Sequence, residues 1–384
     1  MRPELQDIVD EASKVLDADT TLEDREFNLV AYGSQRFDVD AVRQSSILQR
    51  RSSPATRQWF EQFGISSTTG PLRTPADPAT GVRSRLCFPV RWRGLTYGYL
   101  WALDDATALD DPAVLRVAEL AEHAATYLAQ LTRQTVDDAA TVADLLSSDP
   151  DKVEQAALRV GDRGLIGRDR VVVAVWVGAE GAAVPTGTSP NLWGLPRSVL
   201  IDRGVDATTV LVPLRTPADD GPARQVAEQV RQLWAAELAP AWVGRLVAGV
   251  GEVRTTLTEL RGSWREARLA AAVAAAVPSL GPVARWADLG LYRLLAGLPR
   301  HQLEPLVLDP PVRRLLEADE ELRSTVLAYL DRAGNAQDTA AALHIHRQTL
   351  YYRLNKVEAL TGLQFSDGHA RLRLHLALML APLL

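Results

Sequence analysis

The sequence predicts a multidomain α+β protein with three modules: a domain built on an antiparallel sheet, an α/β domain and an all-α domain. The clearest sign of the first module is a β-hairpin at 86–103, where two arms rich in aromatic and branched residues flank the turn pair Arg93-Gly94. The preceding stretch, 66–84, is rich in serine, threonine, proline and glycine and is expected to be a long loop.

The α/β module and the all-α module are indicated by the spacing of apolar residues. Runs of buried-strand character alternate with helical stretches, which is the pattern of an α/β domain. The strand runs are 170–178, 208–214 and 242–251, and the helical stretches are 222–238 and 255–276. From Pro299 onward the pattern is helical throughout.

Three modules agree with the length of 384 residues, which is long for a single hydrophobic core. We place the antiparallel-sheet domain at 1–128, the α/β domain at 149–297 and the all-α domain at 300–384. A helical pattern without interruption begins at Pro112 and reaches Leu146, so residues 129–148 are expected to form a connector helix. Its apolar stripe, which begins at Leu115, outlasts the first domain and predicts pairing with a second copy of the chain.

Composition excludes several classes of protein. Cys87 is the single cysteine, which excludes an internal disulfide and cannot by itself anchor a zinc site. No stretch holds the roughly 18 uncharged apolar residues of a membrane helix. The N-terminus is amphipathic and acidic, unlike a signal peptide. We therefore expect a cytoplasmic protein with no membrane contact, no metal and no cofactor.

Charge is distributed unevenly along the chain. The net charge is −6, which by itself argues against a nucleic-acid partner. Residues 322–384, however, carry seven Lys/Arg and four Asp/Glu, a balance of +3, so the remaining residues sum to −9. A mildly basic tail on an acidic body is the pattern of a DNA-binding module attached to domains that stay off DNA.

A helix-turn-helix is indicated within 322–362. Apolar residues between 322 and 330 follow helical spacing, and Gly334 ends this first helix. Asn335 can cap a short second helix at about 336–343, because its side chain can accept hydrogen bonds from the first free backbone amides. The small side chains of that second helix allow a neighbouring helix to cross closely, as a helix-turn-helix requires.

The turn His344-Ile345-His346 leads into a recognition helix at about 347–359, whose inner face carries Leu350, Leu354 and Val357. Polar residues lie on the opposite face, where they can reach base edges, and cations lie at its borders, where they can reach phosphates. The residues assigned to the DNA interface are His346, Arg347, Gln348, Thr349, Tyr351, Tyr352, Arg353, Asn355 and Lys356. A surface helix of a small helical domain shows the same amphipathic pattern, so the pattern alone leaves both interpretations open.

The segment TAAALHIHRQTLYYRLNKVEALTG resembles the C-terminal helix-turn-helix of PucR-type (CdaR-like) bacterial transcriptional regulators. The family's Leu–Tyr–Leu helix, Asn, Thr-Ala and His-Arg-x-Thr-Leu-x-Tyr-Arg-Leu run occur here at fixed spacing. They are Leu327, Tyr329, Leu330, Asn335, Thr339, Ala340, His346, Arg347, Thr349, Leu350, Tyr352, Arg353 and Leu354. The trailing FSDGHARLRLHLALML resembles the family's closing helix.

The resemblance extends upstream. Residues 249–297 are similar to the GGDEF-like domain of the family, with Ser263, Glu266 and Ala267 in its Ser-x-x-Glu-Ala pattern. Residues 25–128 resemble a GAF- or PAS-like sensory domain. The GGDEF resemblance raises an alternative, a nucleotide-binding or nucleotide-cyclising signalling protein. A cyclase holds metal at the triphosphate with carboxylates on a glycine-rich turn, and here the degenerate GVGEV run at 249–253 lacks the acidic pair.

The resemblance implies a sequence-specific transcriptional regulator without catalytic residues, expected to act as an activator that responds to a small-molecule effector. Its implied partners are operator DNA, a second copy of the chain and RNA polymerase. A protein whose helix-turn-helix contacts another protein is a further alternative, against which the polar outer face of the recognition helix argues. The sequence does not assign ligand-binding residues.

Two features of the sensory module bear on a ligand. Trp92 and Trp101 flank the hairpin and could line a pocket. Four arginines alternate along the first hairpin arm and its approach; they form either one solvated strand face or a site for an anionic ligand. These four are Arg83, Arg85, Arg91 and Arg93.

Overall fold

The computed structural model describes residues 3–33, 40–77, 81–104, 106–164, 166, 171–179, 184, 185, 188, 190–196, 198–296 and 300–383. The chain forms two compact units. The first comprises 1–173, 177–246 and 254–261, and the second comprises 174–176, 247–253 and 262–384. Among the described residues, no helix combines the length and the hydropathy that a membrane crossing needs.

Helices and strands both occur in the first three-quarters of the chain, and the residues that the structure describes beyond β10 form helices and their connections. The helices are α1 (Pro3–Leu16), α2 (Ala41–Leu48), α3 (Pro54–Glu61), α4 (Pro112–Leu145), α5 (Pro150–Asp162), α6 (Gly221–Glu237), α7 (Pro240–Val243), α8 (Leu260–Ala276), α9 (Arg300–Val307), α10 (Pro310–Leu316), α11 (Glu320–Asp331), α12 (Ala336–Ala342), α13 (Arg347–Thr361) and α14 (Gly368–Leu380). The strands are β1 (Thr20–Asp24), β2 (Leu29–Tyr32), β3 (Leu72–Thr74), β4 (Arg85–Trp92), β5 (Leu95–Ala102), β6 (Val171–Ala179), β7 (Leu200–Arg203), β8 (Ala207–Leu214), β9 (Leu246–Val250) and β10 (Val283–Arg285).

The N-terminal sheet is antiparallel, with strand order β2-β1-β5-β4-β3. The predicted hairpin is confirmed: β4 and β5 pair from Leu86 opposite Ala102 to Trp92 opposite Leu95. Both turn residues between them have positive φ angles, 49° at Arg93 and 83° at Gly94, as a tight two-residue turn requires. The prediction that 66–84 is a long loop is wrong in part, because this stretch contains β3, which pairs with β4.

The two faces of this sheet bury different kinds of residue. One face is apolar and packs against α1 and α4 in a core that includes Leu22, Phe88 and Leu100. The alternate side chains of the same strands, among them Glu23 and Trp101, lie in an interior that contains polar and aromatic groups.

The tryptophans and the alternating arginines do not follow the sequence interpretation as a group. Trp92 packs against the apolar face, whereas Trp101 is buried on the other face, so the two do not line one pocket. Arg93 is exposed, as a solvated strand face predicts. Arg85 is instead 4% exposed and paired with Asp40.

Helix α4 is one continuous helix of 34 residues, which confirms the predicted long helix. Its first half packs against the apolar face of the sheet through residues that include Leu120, Ala124 and Leu128. Its last turns are buried again at Thr141, Val142 and Leu145, near α5. The stripe predicted for pairing with a second chain is therefore largely used within this chain.

The second sheet has strand order β10-β9-β6-β8-β7, with β10 parallel to β9 and β7 antiparallel to β8. The three predicted strand runs correspond to β6, β8 and β9, and the two predicted helices to α6 and α8. The run predicted from 242 begins as a strand only at Leu246, because 240–243 form α7, with Pro240 at a favoured first helical position. The short strands β7 and β10 were not predicted.

Candidate DNA-binding site

The link between α11 and α12 depends on backbone conformations that few residues adopt. Ala333 and Gly334 have φ angles of 53° and 82°, and the Gly334 amide donates to the Tyr329 carbonyl at 2.9 Å. Asn335 then caps α12, as predicted: its side-chain oxygen accepts from the amides of Gln337 at 3.0 Å and Asp338 at 3.2 Å. This cap fixes the residue at which α12 begins.

The turn between α12 and α13 uses the three residues that the sequence indicated. His344 has a φ of 53°, and the Ile345 amide donates to the Ala340 carbonyl at 3.0 Å while its side chain packs into the domain core. His346 is the N-cap of α13, with Nδ1 accepting from the Gln348 amide at 3.3 Å. The imidazole thus caps the start of α13 and is exposed.

The inner face of α13 anchors the helix in the core of the C-terminal domain. Leu350, Leu354 and Val357 are each at most 4% exposed, and they share this core with residues of α11 and α14. Thr361 is buried at the last turn, and Gly362 ends the helix with a φ of 73° and an amide donating to the Glu358 carbonyl at 2.8 Å. The helix therefore presents one fixed face outward.

The outer face of α13 carries most of the residues predicted to contact DNA. Gln348, Tyr352 and Asn355 are exposed at i, i+4 and i+7, so they form one stripe along the helix. Tyr351 and Tyr352 are 52% and 67% exposed, which is unusual for large aromatic side chains. The other predicted residues that are exposed are His346, Arg347 and Lys356, and Thr349 is half-buried.

Arg353 departs from the predicted set. Its side chain is only 15% exposed, and its guanidinium group binds the Glu321 carboxylate and donates to Thr325 Oγ1 at 3.2 Å. Both partners belong to α11, so this arginine connects the recognition helix to the first helix of the motif. In this structure it is not directed to solvent as a phosphate contact would be.

The structure also brings together two residues that sequence reasoning did not link. Arg347 Nη2, at the start of α13, donates to Gln337 Oε1 of α12 at 2.7 Å on the exposed surface. The two are ten positions apart across a turn, a separation with no periodic signal in the sequence. Gln337 therefore joins the residues that border the outer face.

The Ser-x-x-Glu-Ala residues of α8 make structural contacts. Ser263 is fully buried, and its Oγ accepts from the Ala174 amide of β6 at 2.9 Å. Glu266 Oε2 accepts from the Glu252 amide at 2.9 Å, just beyond β9. Ala267 lies directly against Gly249, where even a Cβ atom would come within 1.8 Å of the Ala267 carbonyl oxygen. Among the residues that the structure describes, no cluster of three His, Cys, Asp or Glu could hold a metal ion.

Comparison with known protein families agrees with this geometry. Residues 322–380 match the PucR C-terminal helix-turn-helix domain, which covers α11 to α14. Residues 150–273 match the GGDEF-like domain, which contains the α8 motif.

Characterised relatives include three bacterial regulators. The proline-responsive transcriptional activator PutR of Bacillus subtilis is 23% identical, over 97% of this chain and 95% of PutR. The carbohydrate diacid regulator of Escherichia coli is 40% identical over 95 residues, 24% of each chain. The purine catabolism regulatory protein of Bacillus subtilis is 37% identical over 68 residues, 18% of this chain and 13% of that protein.

Helix α13 is anchored on one side and polar on the other. It lies in a domain that matches the PucR model, and a GGDEF-like domain precedes that domain. The chain carries a GGDEF-like domain at 150–273 and the PucR C-terminal helix-turn-helix domain at 322–380, and its relatives are transcriptional regulators.

Proposed function

We propose that the outer face of α13 reads operator DNA in the major groove and that the chain acts as an activator controlled by a small-molecule effector. The observation that carries the DNA-reading role is the exposed stripe Gln348, Tyr352 and Asn355 on a helix held by a buried inner face. Amide side chains can make paired hydrogen bonds to adenine in that groove. The relative PutR is named a proline-responsive activator. That name supports an effector-controlled activator here.

Gln348→Ala is expected to lower affinity for the specific site by about 5- to 150-fold, equal to roughly 1–3 kcal/mol, and to leave binding to random DNA unchanged. The site is first recovered by selection from a random duplex pool, and both affinities are then measured at one salt concentration. Gln364→Ala, an exposed glutamine beyond the end of α13, is the matched control and should bind like the wild type. Equal losses on specific and random DNA would remove Gln348 from the base-reading set.

We also propose that the protein binds its operator as a homodimer. One recognition helix contacts only a few base pairs, and specific regulators usually reach their affinity with two half-sites about one helical turn apart. The terminal helix α14 buries Leu374, Ala377 and Leu378 in its own domain, whereas its Leu372 is 60% exposed. A symmetric footprint and a dimeric solution mass are expected; a monomer that protects a single unpaired half-site would contradict the proposal.

We propose further that the GGDEF-like domain is non-catalytic. The support is that Gly249, Gly251, Ser263 and Glu266 are all engaged in packing or backbone contacts between α8 and its neighbouring strands. Purified protein incubated with GTP or ATP and magnesium should form no cyclic dinucleotide. A product whose formation is lost in Glu252→Ala would overturn this assignment.

The N-terminal domain is proposed to be a GAF- or PAS-like sensor. The support is its antiparallel five-stranded sheet, one face of which is covered by α1 and α4 while the other encloses charged and aromatic side chains. Charged groups are expensive to bury, so their presence in an interior is often functional.

A further inference from the structure

Four charged residues lie in the interior of the N-terminal domain, and we refer to Glu23, Asp40, Arg43 and Arg85 as the buried charge cluster. Their exposed fractions are 4%, 8%, 1% and 4%. Glu23 and Arg85 come from β1 and β4, and Arg43 comes from α2, which Asp40 caps. Aromatic residues border the cluster: the Arg85 guanidinium lies 5.1 Å from the centre of the Phe60 ring, and Trp101 Nε1 donates to Glu23.

The two carboxylates of the cluster are engaged by groups other than the Arg43 guanidinium. Asp40 accepts two bonds from Arg85 Nη2, at 2.9 and 2.7 Å, and the amide of Arg43 at 2.6 Å. Glu23 accepts from Ser52 Oγ at 2.8 Å and from Trp101 Nε1 at 3.1 Å. No ion pair within 4 Å joins the Arg43 guanidinium to a carboxylate of the described residues.

Several buried N–H donors are consequently left without an acceptor among the described residues. Arg43 donates through Nη1 to Thr21 Oγ1 at 2.6 Å, but its Nε and Nη2 have no partner. The Nε of Arg85 and the Nε1 of Trp59 are also unpartnered. A buried donor that loses its water without gaining an acceptor is costly, and more so when it is charged.

In both Arg43 and Glu23 the effect of burial on the pKa outweighs that of the opposite charges nearby. Burial, followed by the neighbouring Arg85, lowers the pKa of Arg43 to about 9, in spite of the carboxylates of Glu23, Asp40 and Asp19. A close guanidinium partner would hold the pKa of Glu23 below its usual range. Burial instead raises the pKa of Glu23 to about 7, in spite of the Ser52 hydroxyl and both arginines.

We propose that the buried charge cluster binds the carboxylate group of a small metabolite, with Arg43 as its main ligand. A guanidinium presents its N–H groups in a planar fork that matches the two oxygens of a carboxylate. The negative charge of the carboxylate also offsets the buried positive charge, which a bound water molecule does not. The proposal assigns a chemical class to the effector of the proposed sensor. Its test uses no DNA, so its failure would leave the DNA-reading role of α13 unaffected.

The test is the thermal unfolding of the full-length protein, followed by tryptophan fluorescence in sodium acetate, pyruvate or phosphate, with sodium chloride at equal ionic strength as the baseline. At saturating concentration, acetate or pyruvate is expected to raise the melting temperature by about 2 °C or more. No rise with either carboxylate, or a rise with phosphate alone, would overturn the proposal.

Variants of Arg43 identify the binding group. Arg43→Met should abolish the carboxylate-induced rise, because it removes the guanidinium fork and keeps an unbranched side chain. Arg93→Met, at an exposed arginine in the turn between β4 and β5, should respond like the wild type. If Arg43→Met does not fold, Arg43→Lys keeps the charge but loses the fork, and its carboxylate affinity should fall at least about tenfold. An undiminished response in the folded variant would exclude Arg43.

Discussion

Gly249→Ala is expected to destabilise the GGDEF-like domain by about 3 kcal/mol or more. An added Cβ would lie 1.8 Å from the Ala267 carbonyl oxygen and 2.7 Å from the Ala271 amide nitrogen, both backbone atoms of α8. No rotamer change can relieve a contact with backbone, so β9 and α8 must separate. The loss of their packing is the reason for the large effect.

Urea unfolding of the full-length protein measures this effect. The matched control is Gly161→Ala, because a Cβ at this position of α5 would meet nothing within 4 Å. It should be neutral or stabilising, since alanine favours a helix over glycine by up to about 1 kcal/mol. A Gly249→Ala protein that unfolds at the wild-type midpoint would show that the close approach of β9 and α8 is not required.

Arg353→Ala is expected to lower affinity for the specific site by about tenfold or more without changing the slope of affinity against salt concentration. Arg353 binds Glu321 and Thr325 of α11, so its loss frees α13 to shift relative to the rest of the motif. A small displacement of a recognition helix affects every base contact at once. If Arg353 contacted a phosphate, its loss would instead lower the salt slope by about one and weaken specific and random binding alike.

Glu321→Ala separates the two roles of Arg353. If the arginine positions α13, removing its partner should also weaken specific binding, and the double variant should lose less than the sum of the two single losses. If the arginine contacts phosphate, removing a competing carboxylate should strengthen binding. Stronger binding by Glu321→Ala, together with a flatter salt slope for Arg353→Ala, would return Arg353 to the DNA contacts.

The sequence predicted those features that depend on neighbouring residues. The Asn335 cap, the turn at His344 and the inner face Leu350–Leu354–Val357 all follow from local spacing and local hydrogen bonding, and all are confirmed. The short strands β7 and β10 carry only four and three residues, too few for a periodic pattern to identify them.

Partners distant in the sequence could not be predicted in this way. Arg353 and Glu321 are 32 positions apart, and Arg85 and Asp40 are 45 apart, so neither pair has a spacing that indicates contact. From the sequence, an arginine beside a polar helix face or at alternate positions of a strand is predicted to be solvated. The carboxylate that binds it is seen only in the structure. Whether an arginine is exposed or paired with a carboxylate is therefore what the sequence could not predict and the structure had to show.

The continuity of α4 restricts how the length of this protein can vary among related chains. The helix is about 50 Å long at 1.5 Å per residue, and no proline or glycine follows Pro112 within it. Two separate parts of it are buried, one at 114–129 and one at 141–145. Each inserted residue between them would rotate the second part by about 100° relative to the first. Insertions of about 7, 11 or 18 residues nearly complete whole turns, so changes of such lengths keep both buried parts facing inward.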